Sequence, residues 1–446
     1  MKRRNILYMV LAVALVAVTA LVVVLNGRSD GYLNVIPLKS KALMAIDFTK
    51  LGDVKMDDFK DCGVDFSRKA YLFETSDGSL GLVAAVGSEG DVDSWLQRLA
   101  DQGKASKTTG RKGFKFSVIN DNFIVGYSSS SLLVMGPAVG GEQAQLQRRM
   151  VKYLSSEEES VTESPLFQRL ATMDGPVSLV AKADALPDKL IAHVTLGAPK
   201  GIAPDRLYIA ATMDLKGECL TVSCHTFSFD SRIEDALRNS FSKLRPVSDK
   251  YLSTISSANL LTIACGVKGG DFVEFLRSNE SLRTMLMGIN TTIDIDKMLR
   301  GVDGDLIVSV PTFSDDNIPL SLLAEAKDVS WKEDVAYWKK SCPAGSVIED
   351  VANNSWVIKG KQFNACFGVT DSGLLYIVPT AEAVSTVGEK SPSPLSPDVM
   401  SNVKGSPFVA ILSIESATKQ QSGLSVISSF LPQLKTIILK MKNEEC

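Results

Sequence analysis

The sequence predicts an α+β fold: an N-terminal transmembrane helix, then two tandem-duplicated units of mostly antiparallel sheet with packed helices. Three observations carry that expectation. A charge-free apolar run occupies residues 6–25. Beyond it, segments with strand character outnumber helical ones and mostly follow one another directly, which favours antiparallel pairing over βαβ crossovers. Short motifs also recur in one order at a nearly constant offset, the mark of an internal repeat.

The apolar run, ILYMVLAVALVAVTALVVVL, contains only Tyr8 and Thr19 as polar side chains. About 20 helical residues rise about 30 Å, the thickness of a bilayer's hydrocarbon core. Lys2, Arg3 and Arg4 precede the run and only Arg28 follows closely. That asymmetry places the N-terminus in the cytoplasm and the bulk of the chain outside it, with the membrane as a partner through the N-terminal helix. A cleavable signal peptide has a shorter apolar region, about 7–15 residues. VTA at residues 18–20 is its candidate cut site, but LVVVL continues the run. No cysteine follows closely enough for a lipoprotein anchor. The expected organisation is a basic tip, anchor (6–25) and short linker over residues 1–30, a first unit over 31–250 and a second over 251–446.

Each unit opens with a strand and a turn into a helix: ALMAIDF then KLGDV (50–54), and LLTIACGV then KGGDF (268–272). Asp53 and Asp271 are the expected caps. GVD recurs at 63–65 and 301–303, and a polar turn, TSDGSL or SDDNIP, leads to the next strand, GLVAAVG or LSLLAEA. DVDSW (91–95) matches DVAYW (334–338). Strands then follow in which Gly126 pairs with Gly368, Leu132 and Leu133 with Leu374 and Leu375, and Pro137 with Pro379. A polar loop, SSEEESVTESP or GEKSPSPLSP, interrupts both copies before a last strand. Lys216–Gly217 is an expected hairpin turn. The second unit carries a helical insertion over 272–300 with Phe272, Phe275, Leu276 and Leu282 on its apolar face, and residues 424–442 read as an amphipathic closing helix.

Composition bounds the chemistry. The 446-residue chain has a formal net charge of −3 and no basic stripe interleaved with aromatics, so nucleic acid is not an expected partner. Its seven cysteines are scattered without a C-x-x-C, which argues against a disulfide framework or zinc site. Cys219 and Cys224 lie on one predicted strand facing opposite sides. His193 and His225 are the only histidines and sit in no paired-ligand spacing. No nucleophile elbow or phosphate loop occurs.

Four motifs invite a functional reading. Asp91 and Asp93 resemble half a metal loop, but the second copy has Ala336 in place of Asp93. Ser88 and Asp91, like Ser330 and Glu333, instead have capping-box spacing, with Val92, Trp95, Leu96 and Leu99 on one face. The glycine turn at 266–275 could cradle an anion on a helix end, but Asp271 at that entrance favours structural capping. Glu157 to Glu159 read as a solvated acidic loop. Asn279, Asn290 and Asn353 begin N-x-[ST] triplets.

The basic start, the apolar run, GYLNVIPLKSKALMAIDFTKL and SPLFQRLATMDGPVSLVAKAD together resemble Bacteroides-type envelope proteins that share a domain of unknown function. The resemblance implies an envelope location and this architecture, and it brings no functional residues. The expected function is a membrane-anchored envelope protein that binds or scaffolds without catalysis, uses no cofactor and has an envelope protein as partner. The alternative is a hydrolase-like envelope enzyme with a site between the two units.

Overall fold

The computed structural model describes residues 30–51, 61–157, 159–186, 198–199, 201–312, 319–360, 364–420 and 433–441. The chain forms two compact units, one ending at Met173 and the other beginning at Asp174.

The first unit holds β1 (Ala42–Ile46), β2 (Ala70–Glu74), β3 (Leu80–Ala85), helix α1 (Glu89–Asp101), β4 (Thr109–Arg111), β5 (Phe114–Ile119), β6 (Phe123–Tyr127), β7 (Ser131–Gly136), α2 (Gly140–Leu154) and α3 (Pro165–Ala171). The strands pair in the order β1-β2-β3-β7-β6-β5-β4, every pair antiparallel. Turn chemistry sets the registers. The predicted Asp77–Gly78 turn joins β2 to β3, with Gly78 at φ +80° and its N–H donating to the Thr75 carbonyl at 3.0 Å. Asn120 and Asp121, both at positive φ, close the β5–β6 hairpin as the side chains that best tolerate that region. Helix α1 starts where Ser88 Oγ accepts the Asp91 N–H at 3.3 Å, so the serine caps as its spacing suggested. Val92 and Leu96 then face inward against Val125, Tyr127 and Leu132, with Trp95 and Leu99 half-buried beside them.

The second unit begins with β8 (Val177–Lys182), β9 (Tyr208–Lys216), β10 (Cys219–Phe227), α4 (Ser231–Phe241), β11 (Leu244–Arg245) and β12 (Leu261–Lys268). Helices α5 (Gly269–Ser278), α6 (Glu280–Ile289) and α7 (Ile295–Arg300) form the expected insertion. After them come β13 (Val302–Val310), β14 (Ser321–Ala326), α8 (Val335–Ser341), β15 (Val347–Ala352), β16 (Ser355–Lys359), β17 (Ala365–Val369) and β18 (Leu374–Val378). Short α9 (Ala381–Val384) and α10 (Pro397–Val403) precede β19 (Phe408–Ser413), α11 (Ile414–Gln420) and β20 (Thr436–Met441). The main strand order is β8-β9-β10-β20-β19-β12-β13-β14-β18-β17-β16-β15. Only β10–β20 is parallel among these pairs. The Lys216–Gly217 turn joins β9 and β10. A common order runs through both units: β1-β2-β3-β7-β6-β5 in one and β12-β13-β14-β18-β17-β16 in the other, with α1 after β3 and α8 after β14.

The core of the second unit is aromatic. Trp331 and Trp338 stack at 6.2 Å with rings 4° apart, and Trp356 and Phe367 close around Trp331. Trp331 is the most enclosed of the three tryptophans, at 1% exposure.

The structure corrects several expectations. The fold class is a mostly antiparallel sheet with short helices, and among the described residues no helix is long and apolar enough to cross a membrane. The run at residues 6–25, expected to be a transmembrane helix, lies outside the described residues. The longest described helix, α2, has 15 residues. Its apolar side chains recur along one face because it lies on a sheet, whereas a span needs them all round. The closing amphipathic helix is replaced over its described part by β20. There Thr436, Ile437 and Ile438, stiff at χ1 and suited to a pleated surface, gain partners on both sides. Ser330 does not cap α8; it lies in a 3₁₀ turn over Ser330–Asp334, and its N–H donates to Asp328 Oδ1 at 2.9 Å. Asp271 sits in the first turn of α5, one turn inside the cap position that Lys268 occupies. Asp53 lies outside the described residues.

Candidate functional site

Asp93 is fixed by three elements. It sits on α1, and its carboxylate accepts Lys115 Nζ from β5 at 2.7 Å and the Tyr127 hydroxyl from β6 at 2.5 Å. Lys115 also lies 2.9 Å from Glu89 and 5.9 Å from the centre of the Tyr127 ring. Partial burial works against ionisation of Asp93, but the hydrogen bonds from Lys115 and Tyr127 outweigh it and hold the carboxyl below its ordinary range. Tyr127 is fully enclosed, and burial, reinforced by the Asp93 carboxylate, pushes its hydroxyl up to about 12. Asp91 is exposed and lends its N–H to the cap. The pair that looked like a metal half-loop is a cap and a pin. With Gly126 matched to Gly368, the second unit has Ala336 and Val369 where the first has Asp93 and Tyr127, so carboxylate and phenol are absent together. Among the described residues no group of three or more His, Cys, Asp or Glu side chains is placed to hold a metal ion.

The glycine turn at 266–275 has a packing explanation. A Cβ on Gly269 would stand 2.0 Å from the Leu299 carbonyl oxygen and 2.7 Å from that of Arg300. Glycine there lets α5 approach the end of α7, and the carbonyls facing it would repel an anion. Gly266 likewise lies against the Arg245 and Pro246 carbonyls. The asparagines of the N-x-[ST] triplets have local roles: Asn279 caps α6 through the Leu282 N–H at 3.1 Å, Asn290 Oδ1 accepts the Asp296 N–H at 3.3 Å, and the Asn353 carbonyl accepts Ser355 Oγ at 3.3 Å.

His225 packs beside Phe227 on β10 at 5.6 Å between ring centres, while His193 lies outside the described residues. Burial raises every described thiol, pushing Cys224 up to about 11 and Cys265 up to about 12. These cysteines are free and, held as thiols, are poor nucleophiles and metal ligands.

One cleft of about 760 Å³ opens on the first unit. Three segments form its walls. The stretch after the 3₁₀ turn Asp30–Val35 is tied to the acidic loop by Leu38 N–H to the Glu159 carbonyl (2.9 Å) and Val161 N–H to the Ile36 carbonyl (2.9 Å). The β2–β3 turn supplies Thr75, Ser76 and Asp77, and the last turns of α2 supply Gln145, Arg148, Arg149, Lys152 and Tyr153. Helix α2 buries Leu146, Met150, Val151 and Leu154 against the unit and thereby turns its cations to the opening.

Asp77 and Arg149 organise the cleft. Arg149 Nη1 donates to Asp77 Oδ2 at 2.5 Å and to Ser79 Oγ at 3.1 Å. Thr75 Oγ1 donates to the other oxygen of Asp77. That bond foremost, helped by Ser79 and Arg149, lowers Asp77 to about 2. Lys39, Arg148 and Lys152 stand exposed around it, and Glu159 is the second lining carboxylate. The acidic run at 157–159 therefore forms part of a basic cleft: Glu159 lies on its wall, and Glu158 is outside the described residues. Sequence reading missed the cleft because its walls come from three distant segments. The only local signal was the cationic side of QRRMVKY at residues 147–153.

A family model described as a domain of unknown function (DUF4836) matches residues 39–410. No curated protein matches the chain. Among solved structures, the chain is similar to one reported as "Structure of crystal form III of TP0453", at 9% identity and a TM-score of 0.24, over 80% of this chain and 97% of that one. At that score the likeness supports no argument about fold or function.

Proposed function

Since the chain belongs to the family described as a domain of unknown function (DUF4836), we propose that it is a non-enzymatic binding or scaffolding protein of the cell envelope, one of the Bacteroides-type proteins its sequence resembles. The furnishing of the cleft carries this reading. Its groups are hydrogen-bond donors and fixed charges, and Asp77, lowered to about 2, is too weak a base to take a proton near neutrality. Raised thiol pKa values on the described cysteines point the same way. Lys2, Arg3 and Arg4 ahead of the apolar residues 6–25 support a place outside the cytoplasm.

The test is to incubate the purified full chain with a broad panel of hydrolase and transferase substrates. No turnover is expected. Turnover that disappears in Ser76→Ala or Asp77→Asn would replace the binding reading with an enzymatic one. Cell fractionation that recovers the chain with soluble cytoplasmic proteins would overturn the location.

A further inference from the structure

We propose that the cleft of the first unit binds a phosphorylated small molecule, with Arg149 as the fork that takes the phosphoryl oxygens. This rests on reading the protein as a binder.

Arg149 is already oriented. Its Nη1 is committed to Asp77 and Ser79, which locks the guanidinium plane in the wall of the cleft. The Nε and Nη2 donors on the other edge have no partner among the described residues, and the side chain is 28% exposed, open to the cleft. Two parallel N–H groups on one edge of a fixed guanidinium match two oxygens of a phosphoryl or carboxylate group.

The remaining charges favour the dianion. Arg148 and Lys152, four residues apart on α2, are like charges on neighbouring helix positions and repel one another unless an anion lies between them. Lys39 reaches the same opening from a separate segment. Lys152 alone could be explained by the carbonyl end of the helix, which attracts cations; Lys39 and the Arg149 fork could not. Of the lining carboxylates, Asp77 is neutralised by its partners, leaving Glu159 to oppose the ligand. A monocarboxylate would leave much of this positive charge unanswered. The volume of about 760 Å³ falls within the range of about 300–1,000 Å³ typical of small-molecule sites and far exceeds a bare phosphate. The ligand therefore has a body, for which Pro37, Leu38 and Tyr153 offer surface.

Titration calorimetry of the full chain tests this with fructose bisphosphate and inorganic pyrophosphate, fructose as the uncharged control, and phosphatidic acid vesicles as the lipid source of the same phosphomonoester. The expected result is saturable binding of fructose bisphosphate, weaker binding of pyrophosphate and none of fructose. Arg149→Lys keeps the charge but loses the fork, and should weaken binding about tenfold or more. The double change Arg148→Gln with Lys152→Gln, at exposed positions, should also weaken binding and flatten its salt dependence while leaving the melting temperature unchanged. No saturable binding of either soluble probe at millimolar concentration overturns the proposal, as does binding confined to vesicles or undiminished in both variants. Those failures leave the non-enzymatic reading standing, because only turnover removes it.

Discussion

Replacing Asp93 with alanine should remove the polar pin between α1 and the sheet of the first unit. The enclosed Tyr127 hydroxyl loses its ionised partner, and a hydrogen bond to such a partner contributes about 1.5–3 kcal/mol. Two features reduce the loss. The Asp93 and Lys115 side chains are 40% and 39% exposed, so their ion pair is screened and adds little. Thr108 also lies beside the phenol and remains in place. The expected destabilisation is about 1–2 kcal/mol, a fall of about 2–8 °C in melting temperature for a unit of this size. Thermal unfolding followed by circular dichroism measures it in Asp93→Ala, Tyr127→Phe and the double variant. The cycle isolates the coupling between the two side chains. A coupling energy indistinguishable from zero would refute the pin. The effect should also depend on pH. Asp93 is depressed in the fold, so its contribution is complete above the ordinary carboxylate value and is lost as pH falls through the folded one; the gap between wild type and Asp93→Ala closes below about pH 4. Tyr127 is raised, so its contribution is complete below the ordinary tyrosine value of about 10 and fades as pH rises towards 12.

Other outcomes follow from packing and burial. Gly269→Ala drives a methyl into the Leu299 carbonyl and should destabilise by about 1–3 kcal/mol, whereas Gly270→Ala, with nothing within 4 Å of its added Cβ, should stabilise by about 0.5–1 kcal/mol in urea unfolding. Equal effects would dismiss the close-approach account. Trp331→Ala should cost about 3–5 kcal/mol and Trp95→Ala less, because the first side chain is enclosed and the second is half-buried; the reverse order in chemical denaturation would contradict the core described. Cys224 and Cys265, raised to about 11 and about 12 by burial, should resist iodoacetamide at neutral pH in the folded chain. Rapid alkylation of either, detected by peptide mass spectrometry, would show that the thiols are open.

The parts of the fold readable in advance were those set by neighbours in sequence. Ser88 reaches an N–H three residues on, and the Asp77–Gly78 and Lys216–Gly217 turns are fixed by their own backbones. The strand order repeated between the units also left its trace in short motifs. The pinning of Asp93 was not legible because its partners lie 22 and 34 residues away and meet it only when α1 lies across β5 and β6. Trp331 was overlooked because a 3₁₀ turn has no helical period to mark an inward face. Residues 436–441 have an apolar pattern that serves helix or strand, and only the neighbouring strands decide. The cleft was the least legible feature, since Lys39, Asp77 and Arg149 share nothing in sequence but a meeting place.

The position of β20 has a kinetic consequence. Cys219 pairs with Thr436 on one side, and Ser413 pairs with it on the other. A strand supplied late in the chain thus occupies the interior of its sheet. Until it docks, β10 and β19 each keep an edge of unsatisfied backbone groups, which can template association with other chains. Closing so long a loop is entropically unfavourable before any contact rewards it, which slows the final assembly. Until β20 arrives between β10 and β19, the sheet of the second unit stands open along a line inside it rather than at its rim.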